Sequence, residues 1–155
     1  MNELIELVQK YAPLAARILF AQLFIVSGIG KIGHFAGTAA YMAGMGLTPG
    51  TNVLLVMTIA LEVGGGVALV AGWRVRWVAV AIGGFTFLAS MIFHPFWNTD
   101  PAAMPSQLNN FMKNLAIIGG MLYVMAYGAG PFSLDSARSD AQAGRDRAAA
   151  AKKRT

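Results

Sequence analysis

The chain has 155 residues, of which 56% are hydrophobic and 12% are charged, whereas a soluble domain of this size carries roughly 25% charged residues. This composition indicates a single-domain membrane protein. The net charge of +5 does not indicate a nucleic-acid partner, because six of the twelve Lys and Arg residues lie after Asp135 in the C-terminal tail. Since the chain has no cysteine, it forms no disulfide, iron–sulfur cluster or thiolate metal site of its own, and we predict no metal site.

Four apolar stretches predict an all-α fold, a bundle of four transmembrane helices at residues 14–32, 51–71, 77–94 and 112–129. Each has roughly the 20 residues that are needed to cross a ~30 Å hydrocarbon core. Pro13 is expected at the first position of the first helix, and Thr51 or Asn52 at the N-cap of the second. Small residues spaced four apart predict the closely packed face of the second helix, and they are Ala60, Gly64, Ala68 and Gly72.

The segments between and after these helices divide the chain into a membrane domain, residues 1–132, and a basic tail, residues 133–155. The connections 33–50 and 95–111 are rich in small and turn-forming residues, and they are expected to cover the outer ends of the helices. The tail has no apolar periodicity, so we expect it to be mobile or a frayed helix on the cytoplasmic surface. Because Glu3 and Glu6 precede Lys10, the N-terminus is not expected to be a cleaved signal peptide.

The distribution of Lys and Arg predicts the orientation of the bundle. With four spans, both termini and the connection 72–76 lie on one side, which then holds nine basic residues. These are Lys10, Arg74, Arg76, Arg138, Arg145, Arg147, Lys152, Lys153 and Arg154. The opposite side holds two, Lys31 and Lys113. The positive-inside rule therefore places both termini in the cytoplasm.

Glu62 lies in the middle of the second span, where it is the only charged residue. A carboxylate at that depth costs a few kcal/mol, so it is expected to face the interior of the bundle. Lys31, His94, Lys113 and Asn114 all fall near the outer ends of the other three spans. The sequence therefore predicts a polar cluster that lies above Glu62 and opens outward.

The candidate roles follow from the chemistry of these side chains. Glu62 and His94 are candidates for proton transfer, because an imidazole titrates near neutral pH. Lys31, Lys113 and Asn114 are candidate donors to the oxygens of a quinone or another polar ligand. Each has a structural alternative: the lysines can extend their ammonium groups to the interface, and His94 can cap its helix. Arg17 is expected to form a structural ion pair with Glu62 or to contact lipid phosphate.

Several segments in order resemble the DoxX family of small bacterial inner-membrane proteins. They are Arg17-Ile-Leu-Phe, Ser27-Gly28 through Lys31, Glu62-Val-Gly-Gly-Gly, Gly72-Trp-Arg-Val-Arg76, Phe93-His94-Pro-Phe-Trp97 and Phe111-Met-Lys113-Asn114-Leu. The resemblance covers about residues 14–134, and the Ala- and Arg-rich tail departs from it. It implies a four-helix protein of the bacterial inner membrane that is associated with redox systems.

Three functions remain open from the sequence. The first is a redox-associated membrane subunit with a quinone site near the outer side, which belongs to a quinone-linked oxidoreductase if it takes part in catalysis. Its electrons would come from a soluble or membrane-bound oxidoreductase partner or from a diffusing substrate. The alternative is a non-catalytic membrane anchor or assembly partner for a soluble oxidoreductase. The third is a small-solute transporter, which at four spans would need to form a homo-oligomer.

Overall fold

The computed structural model describes residues 1–153, and this part of the chain is all-α, as predicted, with no β-strand. Arg154, one of the residues assigned to the cytoplasmic side, and Thr155 lie outside it. The helices are α1 (Asn2–Gly33), α2 (Phe35–Gly44), α3 (Thr51–Ala71), α4 (Val75–Phe93), α5 (Met104–Tyr127) and α6 (Leu134–Lys152). One short 3₁₀ turn, Phe96–Asn98, connects α4 to α5.

Three of the described helices are long and apolar enough to cross a membrane. They are α1, α3 and the segment from Val75 to Asn98 that contains α4. The fourth candidate, α5, has sufficient length but carries Lys113 and several amides in its first half, and it is not among the three. Large apolar side chains nevertheless face outward on all four long helices, for example Leu19, Val56, Leu88 and Leu122. Such an exterior is typical of a protein surrounded by lipid.

The boundaries of α3 agree with the prediction, whereas the start of α1 does not. Pro13 lies inside α1 and not at its first position, because α1 already begins at Asn2. The residues before Pro13 include Glu, Leu and Gln, which are good helix formers and favour this early start. Pro13 removes one backbone hydrogen bond of α1, and the helix continues through it. The predicted cap of α3 is also wrong, since the N-cap is Gly50 with φ 97°. The Thr51 hydroxyl instead donates to the Leu47 carbonyl at 2.5 Å.

Both predicted outer connections contain helix. The first holds α2, and the second holds the 3₁₀ turn and the first two turns of α5. The start of α5 at Met104 is eight residues earlier than predicted (112 − 104), and Pro105 occupies its first turn. A proline fits there because the first amide groups of a helix have no intrahelical acceptor.

The C-terminal tail forms α6, and its first turn is attached to the bundle. The Ser133 hydroxyl caps the helix by accepting from the Ser136 amide at 3.0 Å. The Asp135 carboxylate accepts from the backbone amides of Arg74 and Val75 at 2.8 and 3.0 Å. Asp135 therefore caps the N-terminus of α4 from a different helix, where a negative charge is favoured by the helix dipole.

The long helices pack antiparallel, with α1 against α3 and α4 against α5, and α3 also contacts α4. The core they share consists of Ala21, Phe24, Leu69, Ala79, Ile82 and Met121. We call the end of the bundle that α2 covers the α2 end. It holds the C-terminal ends of α1 and α4 and the N-terminal ends of α3 and α5. The opposite end, where α6 is attached, is called the α6 end.

The close approach of α1 and α3 depends on a glycine that the predicted small-residue face did not include. A Cβ atom at Gly66 would lie 2.6 Å from Ile25 Cγ1 and 3.1 Å from the Ala21 carbonyl oxygen. Ala60 and Gly64 are exposed, and a Cβ at Gly64 would meet no atom within 4 Å. The prediction was wrong for those two residues because the inward face of α3 is the one that carries Glu62 and Gly66, which are one turn apart.

The pair Gly66→Ala and Gly64→Ala tests this packing within one helix. We expect Gly66→Ala to lower the free energy of unfolding in detergent by about 1–3 kcal/mol, because the methyl group overpacks the contact with α1. Gly64→Ala is expected to leave stability unchanged or to raise it, since alanine favours the helix. Equal effects in thermal unfolding of the two variants would contradict the assigned face.

Candidate functional site

A cavity of about 490 Å³ lies at the α2 end, among α1, α2, α3, α4 and α5. Its volume is in the range that is usual for small-molecule sites, and its walls are mainly apolar with a few polar groups. The lining residues are Leu23, Phe24, Ser27, Lys31, Thr38, Tyr41, Met42, Thr58, Glu62, Phe85, Thr86, Ala89, Phe93, His94, Asn110, Lys113, Asn114 and Ile117.

One wall of the cavity is a hydrogen-bonded ion pair between α1 and α3. Lys31 Nζ lies 2.9 Å from Glu62 Oε1, 2.8 Å from Glu62 Oε2 and 2.6 Å from Ser27 Oγ. The Ser27 hydroxyl lies 3.2 Å from Glu62 Oε1 and is placed to donate to it. An ammonium group has three N–H donors, so these contacts engage all of them. The carboxylate faces inward as predicted and is neutralised there.

Gly28 allows this ion pair to form. A Cβ atom at position 28 would lie 2.6 Å from Val63 Cγ2 and 3.2 Å from Glu62 Cβ. With hydrogen at this position, α1 and α3 approach closely at the level of Glu62. Ser27 and Lys31 are four residues apart on α1, so they share one helical face and reach the carboxylate together.

His94 lies on the cavity wall at the C-terminal end of α4, and a residue of α5 orients it. His94 Nδ1 is 2.8 Å from Gln107 Oε1. The 3₁₀ turn that follows His94 is held by edge-to-face aromatic contacts, with the centroids of Phe96 and Phe111 5.3 Å apart and those of Trp97 and Phe111 5.7 Å apart. The chain that leaves His94 is therefore fixed to α5, which limits the positions of the imidazole.

The remaining walls come from α5 and α2. Lys113 and Asn114 extend the cavity lining along α5, with Asn114 half-buried and Lys113 exposed. From α2, Met42 is buried and Tyr41 stacks on Phe93 with ring centroids 5.6 Å apart. The first of the two connections predicted to be outer thus covers the helices at the α2 end.

Arg17 lies at the α6 end, away from the cavity, and the expected ion pair with Glu62 is wrong. Its guanidinium group donates to the carbonyls of Leu69 and Val70 at 3.4 and 3.3 Å. It also donates to the carbonyls of Pro131 and Phe132 at 3.3 and 2.8 Å. The last carbonyls of a helix lack intrahelical donors and carry partial negative charge, so they are suitable partners for a buried cation. Arg17 thus ties the end of α3 to the chain before α6.

The cavity brings together five of the six predicted site residues, namely Lys31, Glu62, His94, Lys113 and Asn114. The roles in proton transfer and ligand binding assigned to them stay predictions. Two further residues of the site, Ser27 and Gln107, were not predicted. Ser27 had a signal, its spacing of four from Lys31. Gln107 had none, because it fell in a segment predicted to be a loop.

An apolar exterior, a paired charge directed inward and a mainly apolar cavity together define an all-helical membrane protein with an internal ligand-sized site. Within this class, the chain belongs to the DoxX family, because the family model described as DoxX matches residues 12–95. The chain is also 42% identical over 122 residues to inner membrane protein YqjF of Escherichia coli K12, covering 79% of this chain and 88% of that protein. Inner membrane protein YphA of the same organism is 33% identical over 122 residues, covering 79% and 86%. No solved structure matches.

A double-mutant cycle on Lys31 and Glu62 tests the ion pair. Lys31→Met or Glu62→Gln alone is expected to lower the free energy of unfolding in detergent by roughly 2–3 kcal/mol, because each leaves a charge or polar group without its partner. The combined variant is expected to be clearly more stable than the sum of the two effects predicts. Lys10→Met and Glu6→Gln, which change exposed residues of α1, are the matched controls. Additive effects of the two site substitutions would contradict a direct interaction.

Proposed function

We propose that this protein is an inner-membrane subunit of a redox system and that its cavity at the α2 end binds the head group of a quinone. The observation that carries the proposal is the composition of the cavity wall. Aromatic and aliphatic side chains surround a small set of hydrogen-bonding groups from His94, Lys113 and Asn114. Both relatives are named as inner membrane proteins, and the same location is proposed here.

A quinone fits this cavity chemically. Its ring needs flat apolar contacts, which Phe24, Phe85 and Phe93 supply on the cavity wall. Its two carbonyl oxygens need hydrogen-bond donors, and the Lys113 ammonium and the Asn114 amide are available on α5. Lys31 is less suited to this role than the sequence suggested, because Ser27 and Glu62 already engage its three donors.

The proposed redox role requires a partner protein that exchanges electrons with the quinone. A quinone takes up two electrons and two protons on reduction, and an oxidoreductase partner, soluble or membrane-bound, is the proposed source or recipient of the electrons. The protons would pass through groups of this chain, and Glu62 and His94 are the candidates. Both line the cavity, and His94 lies at its α2 end.

The quinone site is tested by extraction and titration. The protein, purified in mild detergent, is expected to contain extractable quinone or to bind a short-chain ubiquinone analogue saturably. Lys113→Met is expected to weaken that binding about tenfold, because a hydrogen bond from a charged donor is worth roughly 1.5 kcal/mol or more. Lys10→Met, at the other end of the molecule, is the matched control. Absence of both extractable quinone and saturable binding would refute the proposal.

We also propose that α5 is the fourth membrane span and that both termini are cytoplasmic. The length of α5, its exposed apolar residues and its antiparallel packing on α4 support four spans. The excess of Lys and Arg at the α6 end supports the orientation. The α2 end, with the cavity, then faces the outer side of the membrane.

Because the chain has no native cysteine, single cysteines report this topology directly. Ala102→Cys, in the exposed connection before α5, is expected to react with a membrane-impermeant maleimide in intact cells. Ser139→Cys, on the exposed surface of α6, is expected to react only after the membrane is permeabilised. Equal labelling of the two positions in intact cells would place both on one side and contradict α5 as a span.

The fully satisfied cluster of Ser27, Lys31 and Glu62 favours a second candidate, a non-catalytic anchor for a soluble oxidoreductase. In that case the cluster holds α1 against α3, and the cavity has no part in turnover. The two candidates differ in a complex purified with its oxidoreductase. For a quinone site, Glu62→Gln and His94→Ala would lower the quinone-dependent turnover per recovered complex, whereas for an anchor they would lower recovery and leave that turnover unchanged.

A further inference from the structure

The hydrogen bond between His94 and Gln107 determines which nitrogen of the imidazole carries the proton. An amide oxygen accepts hydrogen bonds and does not donate them. Since Gln107 Oε1 lies 2.8 Å from His94 Nδ1, the tautomer of the neutral ring that completes this hydrogen bond carries its proton on Nδ1. The other nitrogen, Nε2, then carries a lone pair and acts as an acceptor.

Gln107 affects the cavity indirectly, through its hydrogen bond to His94. His94 is part of the cavity wall, whereas Gln107 is not among the lining residues. Gln107 engages Nδ1, and Nε2 has no hydrogen-bond partner among residues 1–153, so Nε2 is the nitrogen left for a ligand. The cavity therefore contains an acceptor on α4 in addition to the donors of Lys113 and Asn114 on α5.

We propose that Gln107 is a positioning residue that holds His94 in this tautomer and thereby makes the cavity selective for a head group with a hydroxyl. This inference rests on the proposed ligand site and deepens it. A hydroquinone or an alkylphenol donates its hydroxyl to His94 Nε2, and in a hydroquinone the second oxygen accepts from the α5 donors. A fully oxidised quinone has no hydroxyl and leaves Nε2 without a hydrogen bond, which lowers its affinity.

The tautomer is measured without any ligand. The chain has two histidines, so a sample labelled with ¹⁵N in histidine gives two imidazole patterns, and the His34→Gln variant assigns them. His94 is expected to show a protonated Nδ1 and an unprotonated Nε2 at a pH where the ring is neutral. Gln107→Glu, which keeps an acceptor oxygen, is expected to retain this pattern, and Gln107→Leu to lose it. A proton on Nε2 in the unsubstituted protein would overturn the proposal.

The selectivity is measured with a pair of probes that does not depend on redox chemistry, a long-chain 4-alkylphenol and its methyl ether. The phenol is expected to bind about tenfold more tightly than the ether, which corresponds to one good hydrogen bond. Gln107→Glu should keep that ratio, and Gln107→Leu should bring it close to one. Gln22→Leu, which changes an exposed glutamine of α1, is the matched control and should keep the ratio.

The outcomes separate this inference from the proposed quinone site. If a ubiquinone analogue binds but the phenol and its ether bind equally, the selectivity is refuted and the quinone site stands. If the phenol is preferred and no quinone binds, the site recognises hydroxylated amphiphiles and the quinone proposal fails. If neither the ubiquinone analogue nor the phenol binds, the quinone site and the proposed selectivity are both refuted. Should Gln107→Leu not fold, the ratio in the unsubstituted protein and its His94 spectrum still decide the question.

Discussion

The ion pair of Lys31 and Glu62 is the interaction on which the arrangement of α1 and α3 depends. Within an apolar helix an unpaired carboxylate is costly in a bilayer, so the partner ammonium must come from a neighbouring helix. The pair forms at 2.8 Å only because Gly28 lets the two backbones approach. It also sets the rotation of α3, because the face with Glu62 points inward, and Gly66 one turn later then packs on Ala21 and Ile25.

The two ends of the bundle hold cations by different means. At the α2 end, Lys31 meets a carboxylate and a hydroxyl. At the α6 end, Arg17 is 1% exposed and is bonded to four backbone carbonyls from the end of α3 and the chain before α6. The planar guanidinium group suits this second arrangement, since its several N–H groups reach acceptors in different directions. Gly72, with φ 68°, allows the contact, because a Cβ there would collide with Arg17 Nη1 and with Ser133.

The sequence predicted the helical class, the limits of α3 and the inward direction of Glu62, because these follow from long apolar runs and from the cost of a charge in lipid. It also predicted that Lys31, His94, Lys113 and Asn114 lie at one level, since depth follows from the rise along each helix. It did not predict contacts that depend on how the helices are rotated against one another. That rotation determines the partners of Arg17, the exposure of Gly64 and the hydrogen bond between His94 and Gln107. The helix α2 and the start of α5 were not predicted for a different reason, since they lack the long apolar runs that mark a span.

The position of the charges limits where the proposed ligand can form hydrogen bonds. Because Lys31 and Glu62 neutralise each other, the wall formed by α1 and α3 offers a ligand little net charge. Lys113 and Asn114 on α5 offer donors, and His94 at the end of α4 offers an acceptor. The family model ends at residue 95, so it covers the ion pair and His94 but not Gln107, Lys113 or Asn114. The ion pair and His94 therefore lie within the residues that the family model matches, whereas Lys113 and Asn114 lie beyond them, in the segment Phe111-Met-Lys113-Asn114-Leu that also resembles the family.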